Sequence, residues 1–245
     1  MARRQIPFWM VFLVFLMIFS AIAGIFSCLA QRNGESKRTD VPPEDSAPLT
    51  VIIDAGHGGE DGGAVSASGL LEKDLNLDIA MRLRVLLENE GVRVILTRDS
   101  DTLLYDRNVD YRGRKKALDL AARRRIAEEN PNAIFVSIHM NAYPQTQYHG
   151  LQVWYSPNDP RSRALAERIQ NTVSAQLQPE NDRRIKSATS AIYLLHHITS
   201  PAVLVECGFL SNPEEAAALA TEEYRERLAF LLCRAILESS GQAAS

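Results

Sequence analysis

From residue 50 onward, short apolar runs alternate with longer segments of helical periodicity, and this alternation constrains the fold more than any other feature of the chain. Residues 50–54 read as a strand bounded by Gly56. Leu75, Ile79, Leu83, Leu86 and Leu87 recur at helical spacing, so a helix is expected over 72–90, stopped by Gly91. VRVILT is a second strand. Residues 115–129 read as a helix with Leu118, Ala122 and Ile126 on its apolar face and Pro131 just beyond its end. AIFVSIH and GLQVWYS are a third and a fourth strand, and 162–176 is a helix. AIYLL and AVLVECG are two more strands, and the tail 213–239 is helical. Strands alternating with helices imply the α/β class: one domain with a mostly parallel, twisted sheet and helices on both faces. The hairpin-like step from AIFVSIH to GLQVWYS allows one antiparallel strand, hence a mixed sheet.

The first 48 residues have a different character. Two arginines, Arg3 and Arg4, precede an almost unbroken apolar run from Ile6 to Ala30. As a helix such a run spans roughly 35 Å, enough for a hydrocarbon core of about 30 Å. Residues 1–30 therefore read as a transmembrane anchor, or as a signal helix ending near the A-x-A-like Ala21-Ile22-Ala23. Either way the arginines stay inside and the rest is exported, membrane-anchored or secreted. Residues 31–48 are polar and proline-bearing and read as a flexible linker. The domain then occupies 49–245. A net charge of −3 argues against nucleic acid as a partner. The three cysteines, at 28, 207 and 233, lack metal-ligand spacing, and their odd number argues against a disulfide framework.

Functional groups of an open α/β sheet gather at the carboxyl ends of its strands. His57 follows the first strand, Glu72 opens the first long helix, His139 closes AIFVSIH, and Glu206 lies near the end of AVLVECG. Two histidines and a carboxylate form a common catalytic zinc set, and a second carboxylate can serve as the base. Glu60 and Asp61 are alternatives to Glu72 as the ligand, and His57 taken alone reads equally well as a turn residue. Glu206 is the hardest to assign a bland role. Alternation puts Val203, Val205 and Cys207 on one face and Leu204 with Glu206 on the other, and a carboxylate there is costly to bury without a partner. Cys207 and Cys233 read as core, and His149 as solvent-facing. His196 and His197 end AIYLL on the site's edge of the sheet, which makes His196 a substrate-contact candidate. The basic stretch RGRKKALDLAARRR reads as a solvated helix face.

VIIDAGHGGEDGGAV, the glutamate of LLEKDLNL, SIHMNA and PAVLVECGFLSNPEEAAALA, in that order, resemble the zinc-dependent N-acetylmuramoyl-L-alanine amidases of the amidase-3 type. The resemblance implies one zinc ion held by His57, Glu72 and His139, with Glu206 as the catalytic glutamate. It implies peptidoglycan as substrate, cut between N-acetylmuramic acid and L-alanine. Asn141 and the main chain at Gly58 and Gly59 are expected to orient that substrate. Only PNDPR separates WYS from the next helix, too little for the inhibitory helix that some relatives insert there. A compact amidase with an N-terminal hydrophobic segment is similar to the sporulation and germination branch, which acts on spore cortex. An activating protein partner is left open. The same metal set would also serve another zinc peptidase or a deacetylase, and the fold alone would serve a non-catalytic wall-binding protein.

Overall fold

The computed structural model describes residues 48–106, 108 and 112–241. The N-terminal hydrophobic segment and nearly all of the linker lie outside the described residues, among which no helix is long and apolar enough to cross a membrane. Along the chain come β1 (Thr50–Ala55), α1 (Glu72–Asn89), β2 (Arg93–Leu96), α2 (Lys115–Glu128), β3 (Ile134–Asn141) and β4 (Gln152–Tyr155). They are followed by α3 (Pro160–Gln176), β5 (Lys186–Ser187), α4 (Tyr193–His197), β6 (Ala202–Phe209), α5 (Pro213–Ala220) and α6 (Glu222–Ser239).

The six strands form one mixed sheet in the order β2-β1-β3-β6-β4-β5. β2, β1, β3 and β6 run parallel, and β4 is antiparallel to β6. Strands buried on both faces read as continuous apolar runs, as β1, β3 and β6 do. Val51, Ile53, Val136, Ile138, Val203 and Val205 face a core closed by α1, α3 and α6. Ile52, Phe135, Ala202 and Leu204 face a smaller core under α2 and α4. Cys207 and Cys233 are buried in the larger core.

Four expectations need correction. GLQVWYS does not form a hairpin with AIFVSIH, because β6 lies between them and β4 pairs with β6. AIYLL is not a strand but the short helix α4, begun by a turn in which Ile192 N–H donates to Thr189 O. Leu194 and Leu195 are both buried, and two neighbouring residues facing one core do not fit strand alternation. The sheet edge there is taken instead by β5. The tail is two helices rather than one, because Thr221 ends α5 in extended backbone and caps α6 through its side chain.

The fourth correction concerns α2, whose buried residues are Asp119, Arg123 and Ala127 rather than Leu118, Ala122 and Ile126. Arg123, 1% exposed, lies inside the protein. Its Nη1 donates to Asp54 Oδ1 at 2.6 Å and to Ala55 O at 2.7 Å, its Nε donates to Asp119 Oδ2 at 2.8 Å, and its Nη2 to His57 O at 2.8 Å. Asp54 also accepts from Ser137 at 2.6 Å and Thr97 at 2.8 Å. The guanidinium thus ties α2 to the end of β1, and through Asp54 to Thr97 just after β2 and Ser137 within β3. Burial opposes ionisation of Asp54, but Arg123 and Ser137 outweigh it and hold the carboxyl below its usual range.

Arg123→Met should cost about 3–5 kcal/mol in urea unfolding, because it strands two buried carboxylates. The triple variant Asp54→Asn, Asp119→Asn, Arg123→Met should recover most of that loss. Asp54 also makes stability depend on pH. A carboxyl with a depressed folded pKa contributes fully above its unfolded value of 3.8 and loses that contribution as the pH falls. Urea midpoints should therefore drop between pH 5 and about pH 3, and less steeply in Asp54→Asn.

Candidate metal centre and active site

The carboxyl ends of β1, β3 and β6 lie side by side, and the parallel register makes His139 and Glu206 direct partners. His57 comes two residues after β1 and adopts φ 63°, a left-handed conformation uncommon outside glycine. That backbone is over-determined by its carbonyls. Ala55 O accepts from Arg98 Nε (2.9 Å) and Arg123, Gly56 O from Arg98 Nη2 (3.0 Å) and Asn76 Nδ2 (3.1 Å), and His57 O from Arg123. Local strain held by surrounding bonds is a mark of functional sites.

Glu72, buried at the first turn of α1, is the hub. Its Oε1 stands 2.9 Å from His139 Nδ1, 3.2 Å from His57 Nε2 and 3.0 Å from the Met140 N–H. Its Oε2 accepts from Ala64 N at 2.8 Å. Burial opposes ionisation, but the hydrogen bonds from the two histidines outweigh it and hold Glu72 far below the carboxylate range. Burial lowers the pKa of His57, yet Glu72 and then Asp61 overcome it and raise the value. The rings of His57 and His139 are 5.0 Å apart between centroids.

Ligand atoms of His57, Glu72 and His139 all lie within 4.8 Å of one another, and no other such group occurs among the described residues. Two imidazoles and a carboxylate are the donors that suit zinc. The three expected ligand positions are therefore brought together. Glu60 is engaged by Lys115. Asp61 lies 2.9 Å from the other nitrogen of His57, Nδ1, without hydrogen-bond alignment, and pairs with Lys116 at 2.9 Å. Asp61 thus stands behind the ring, where a carboxylate typically orients a metal-binding histidine.

Glu206 faces the same hollow, a cavity of about 250 Å³ lined by Gly56, His57, His139, Tyr193, Leu204 and Glu206 among others. Its Oε2 is buried without a hydrogen-bond partner. Burial, helped by the neighbouring Glu72 carboxylate, pushes its carboxyl up to about 8. Glu72, which does not line that cavity, and Glu206 are thus driven in opposite directions, one by its donors and the other by burial.

The expected substrate contacts fare differently. Asn141 ends β3 opposite Phe209 of β6, two residues past His139, and does not line the hollow. Gly58 N donates to Asp61 O, and Gly59 N to Asp101 Oδ1 at 2.7 Å, so both amides are already used within the loop. His196 is exposed on α4 and does not line the hollow, which Ala191, Ile192, Tyr193 and Leu194 reach instead. Sequence reasoning missed Arg98, Arg123 and Asn76 as holders of the His57 loop. Nothing local marks them, since their acceptors are main-chain carbonyls 20 to 68 residues away.

A family model described as N-acetylmuramoyl-L-alanine amidase matches residues 51–238. The germination-specific N-acetylmuramoyl-L-alanine amidase of Bacillus subtilis is 35% identical over 225 residues, 92% of each chain. Among solved structures, the CwlD amidase of Clostridioides difficile, in complex with the GerS lipoprotein, is 40% identical with a TM-score of 0.74, over 79% of this chain and 98% of that one. The N-acetylmuramoyl-L-alanine amidase AmiC2 of Nostoc punctiforme is 34% identical with a TM-score of 0.67, over 79% and 98%.

Space at the centre is set by Gly56, where an added Cβ would meet His139 Cε1 and Nε2 at 2.3 Å. Gly56→Ala should displace that ring and lower affinity for a divalent ion by about 10–100-fold. Chelator competition on the purified protein checks this, with the urea midpoint as the control for folding.

Proposed function

The chain belongs to the N-acetylmuramoyl-L-alanine amidase family, and on that premise we propose that it hydrolyses the amide between N-acetylmuramic acid and L-alanine in spore-cortex peptidoglycan. The observation that carries the catalytic reading is the pairing of a His-Glu-His cluster with Glu206, the cross-strand partner of His139, whose buried oxygen has no other partner. The cortex assignment is supported by similarity over 92% of each chain to a germination-specific amidase.

His57, Glu72 and His139 would hold one zinc ion. Bound there, zinc supplies Lewis acidity toward water and the scissile carbonyl, and a positive charge that favours ionised Glu206. Glu206 then accepts the proton of the attacking water and delivers it to the departing alanine nitrogen as the C–N bond breaks. Asp61 stands behind the His57 ring, and Arg98 and Arg123 keep the loop backbone in place. Asn141, beside Phe209, orients the substrate. In this reading the N-terminal segment carries residues 49–245 to the extracytoplasmic side and tethers them at the membrane. A protein partner is part of it as well, supported by the complex of the C. difficile relative with a lipoprotein.

Incubating peptidoglycan with the protein and zinc should release peptides with a free L-alanine amino terminus and leave the glycan intact, as read by mass spectrometry. Cleavage within the peptide, or loss of acetyl groups, would instead indicate a peptidase or a deacetylase. Glu206→Gln should keep zinc near one per chain by metal analysis and lower turnover by about 10²–10⁴-fold. Normal turnover in that variant would remove Glu206 from the role of base.

A further inference from the structure

Arg183 differs from the buried and half-buried Arg82, Arg98, Arg123 and Arg225. Arg123 is neutralised by Asp54 and Asp119, Arg225 by Asp78, and Arg82 by Asp78, Glu222 and Glu226. Arg98 spends its donors on four main-chain carbonyls. Arg183 donates through Nε (3.2 Å) and Nη2 (2.8 Å) to one neutral oxygen, Gln152 Oε1, and its guanidinium carbon lies 4.8 Å from the centroid of the Phe209 ring. It has no carboxylate partner among the described residues, and its Nη1 has no partner there either. A flat cation is thus fixed on two sides by groups that orient it without cancelling its charge.

It lies across Gln152 from Glu206 and lines a neighbouring cavity with Gln170 and Asn181, next to the hollow that Glu206 faces. Gln152 is the direct cross-strand partner of Glu206, so the two side chains leave the sheet on the same face. Phe209, under the guanidinium, ends the strand that carries Glu206 and pairs with Asn141. The positive field of Arg183 is felt by both Glu206 and Glu215. Neither of them neutralises it. Glu215 spends its two oxygens on Gly150 N (2.9 Å) and Phe209 N (2.8 Å), and Glu206 keeps a buried oxygen unpartnered.

We propose that Arg183, held between Gln152 and Phe209 beside Glu206, binds a carboxylate of the substrate and so selects an acidic stem peptide. The proposal rests on the amidase reading. The guanidinium fork matches a carboxylate geometrically, and such charge-assisted pairs are the stronger class of hydrogen bond. Docking a free acid of the stem peptide on the β4 side of Glu206 would set the scissile amide between that anchor and the His-Glu-His cluster. Arg183 is a specificity residue in this scheme and takes no part in proton transfer.

The test uses the full chain with zinc and soluble muramoyl peptides whose stem carboxylates are free or converted one at a time to carboxamides. Wild type should show a KM about tenfold or more higher for one of the carboxamides, with kcat within about twofold. Arg183→Met should raise KM for the acid to a similar level and show no further loss on that carboxamide, and Arg183→Lys should fall between. Equal KM values for acid and carboxamides in wild type would overturn the proposal without reference to any variant. So would an Arg183→Met loss of the same size on acid and carboxamides. Either result with normal wild-type turnover leaves the amidase reading standing, whereas a wild type that cleaves none of these peptides at the muramoyl amide overturns both.

Discussion

The Asp54–Arg123–Asp119 network is the interaction on which the site depends. A buried ion network contributes little net stability compared with an apolar core of the same shape. Its value here is positional. Arg123 reaches Asp54 on β1, Asp119 on its own helix, and the carbonyls of Ala55 and His57 in the loop between β1 and the site. Apolar side chains could fill the same volume, but they could not hold a carbonyl. Arg98 grips the same loop through Ala55 O and Gly56 O. A histidine at φ 63° needs such constraint, because a left-handed conformation outside glycine is otherwise easily relaxed.

Glycines provide the complementary constraint, which is room. A Cβ on Gly63 would stand 2.5 Å from Glu72 Oε2, and one on Gly56 would overlap the His139 ring. The two positions let loop backbone close on the hub carboxylate and on a candidate ligand at once. Gly63 also has φ 68°, so its neighbour Ala64 can turn its N–H onto Glu72. The glycine-rich stretch after β1 is therefore an arrangement of donors and clearances around Glu72.

Much of this was legible in the sequence, for reasons that also explain what was not. β1, β3 and β6 stand out because strands buried on both faces are apolar throughout, and the histidines and Glu206 stand out as exceptions at their carboxyl ends. Alternation along β6 puts Glu206 opposite Val205, and the two cores receive Leu204 and Val205 on separate faces as expected. AIYLL misled because five apolar residues fit a strand or a buried helical turn equally well. The β4 position misled because pairing order is a property of the whole sheet, and β6, far later in the chain, came between the apparent hairpin partners. Arg123 was hidden in a run of basic residues that reads as solvated. Its principal partner, Asp54, lies 69 positions away inside an apolar strand.

The opposed behaviour of Glu72 and Glu206 follows from the same geometry and would separate the tasks proposed for them. Each is a carboxylate largely removed from water, and burial alone would raise both. Glu72 escapes that fate because two imidazoles and two main-chain N–H groups converge on it. It stays charged, as the metal-ligand role proposed for it requires. Glu206 receives no such donors on its buried oxygen, and the charge on Glu72 raises it further. Burial and the Glu72 charge thus make it hold its proton more tightly than a free carboxyl does. Exchanging the two residues would therefore fail even though both are glutamates. What separates them is the set of donors that surrounds Glu72, supplied by β3 and by the loop before α1, and the lack of any such donor on the buried oxygen of Glu206.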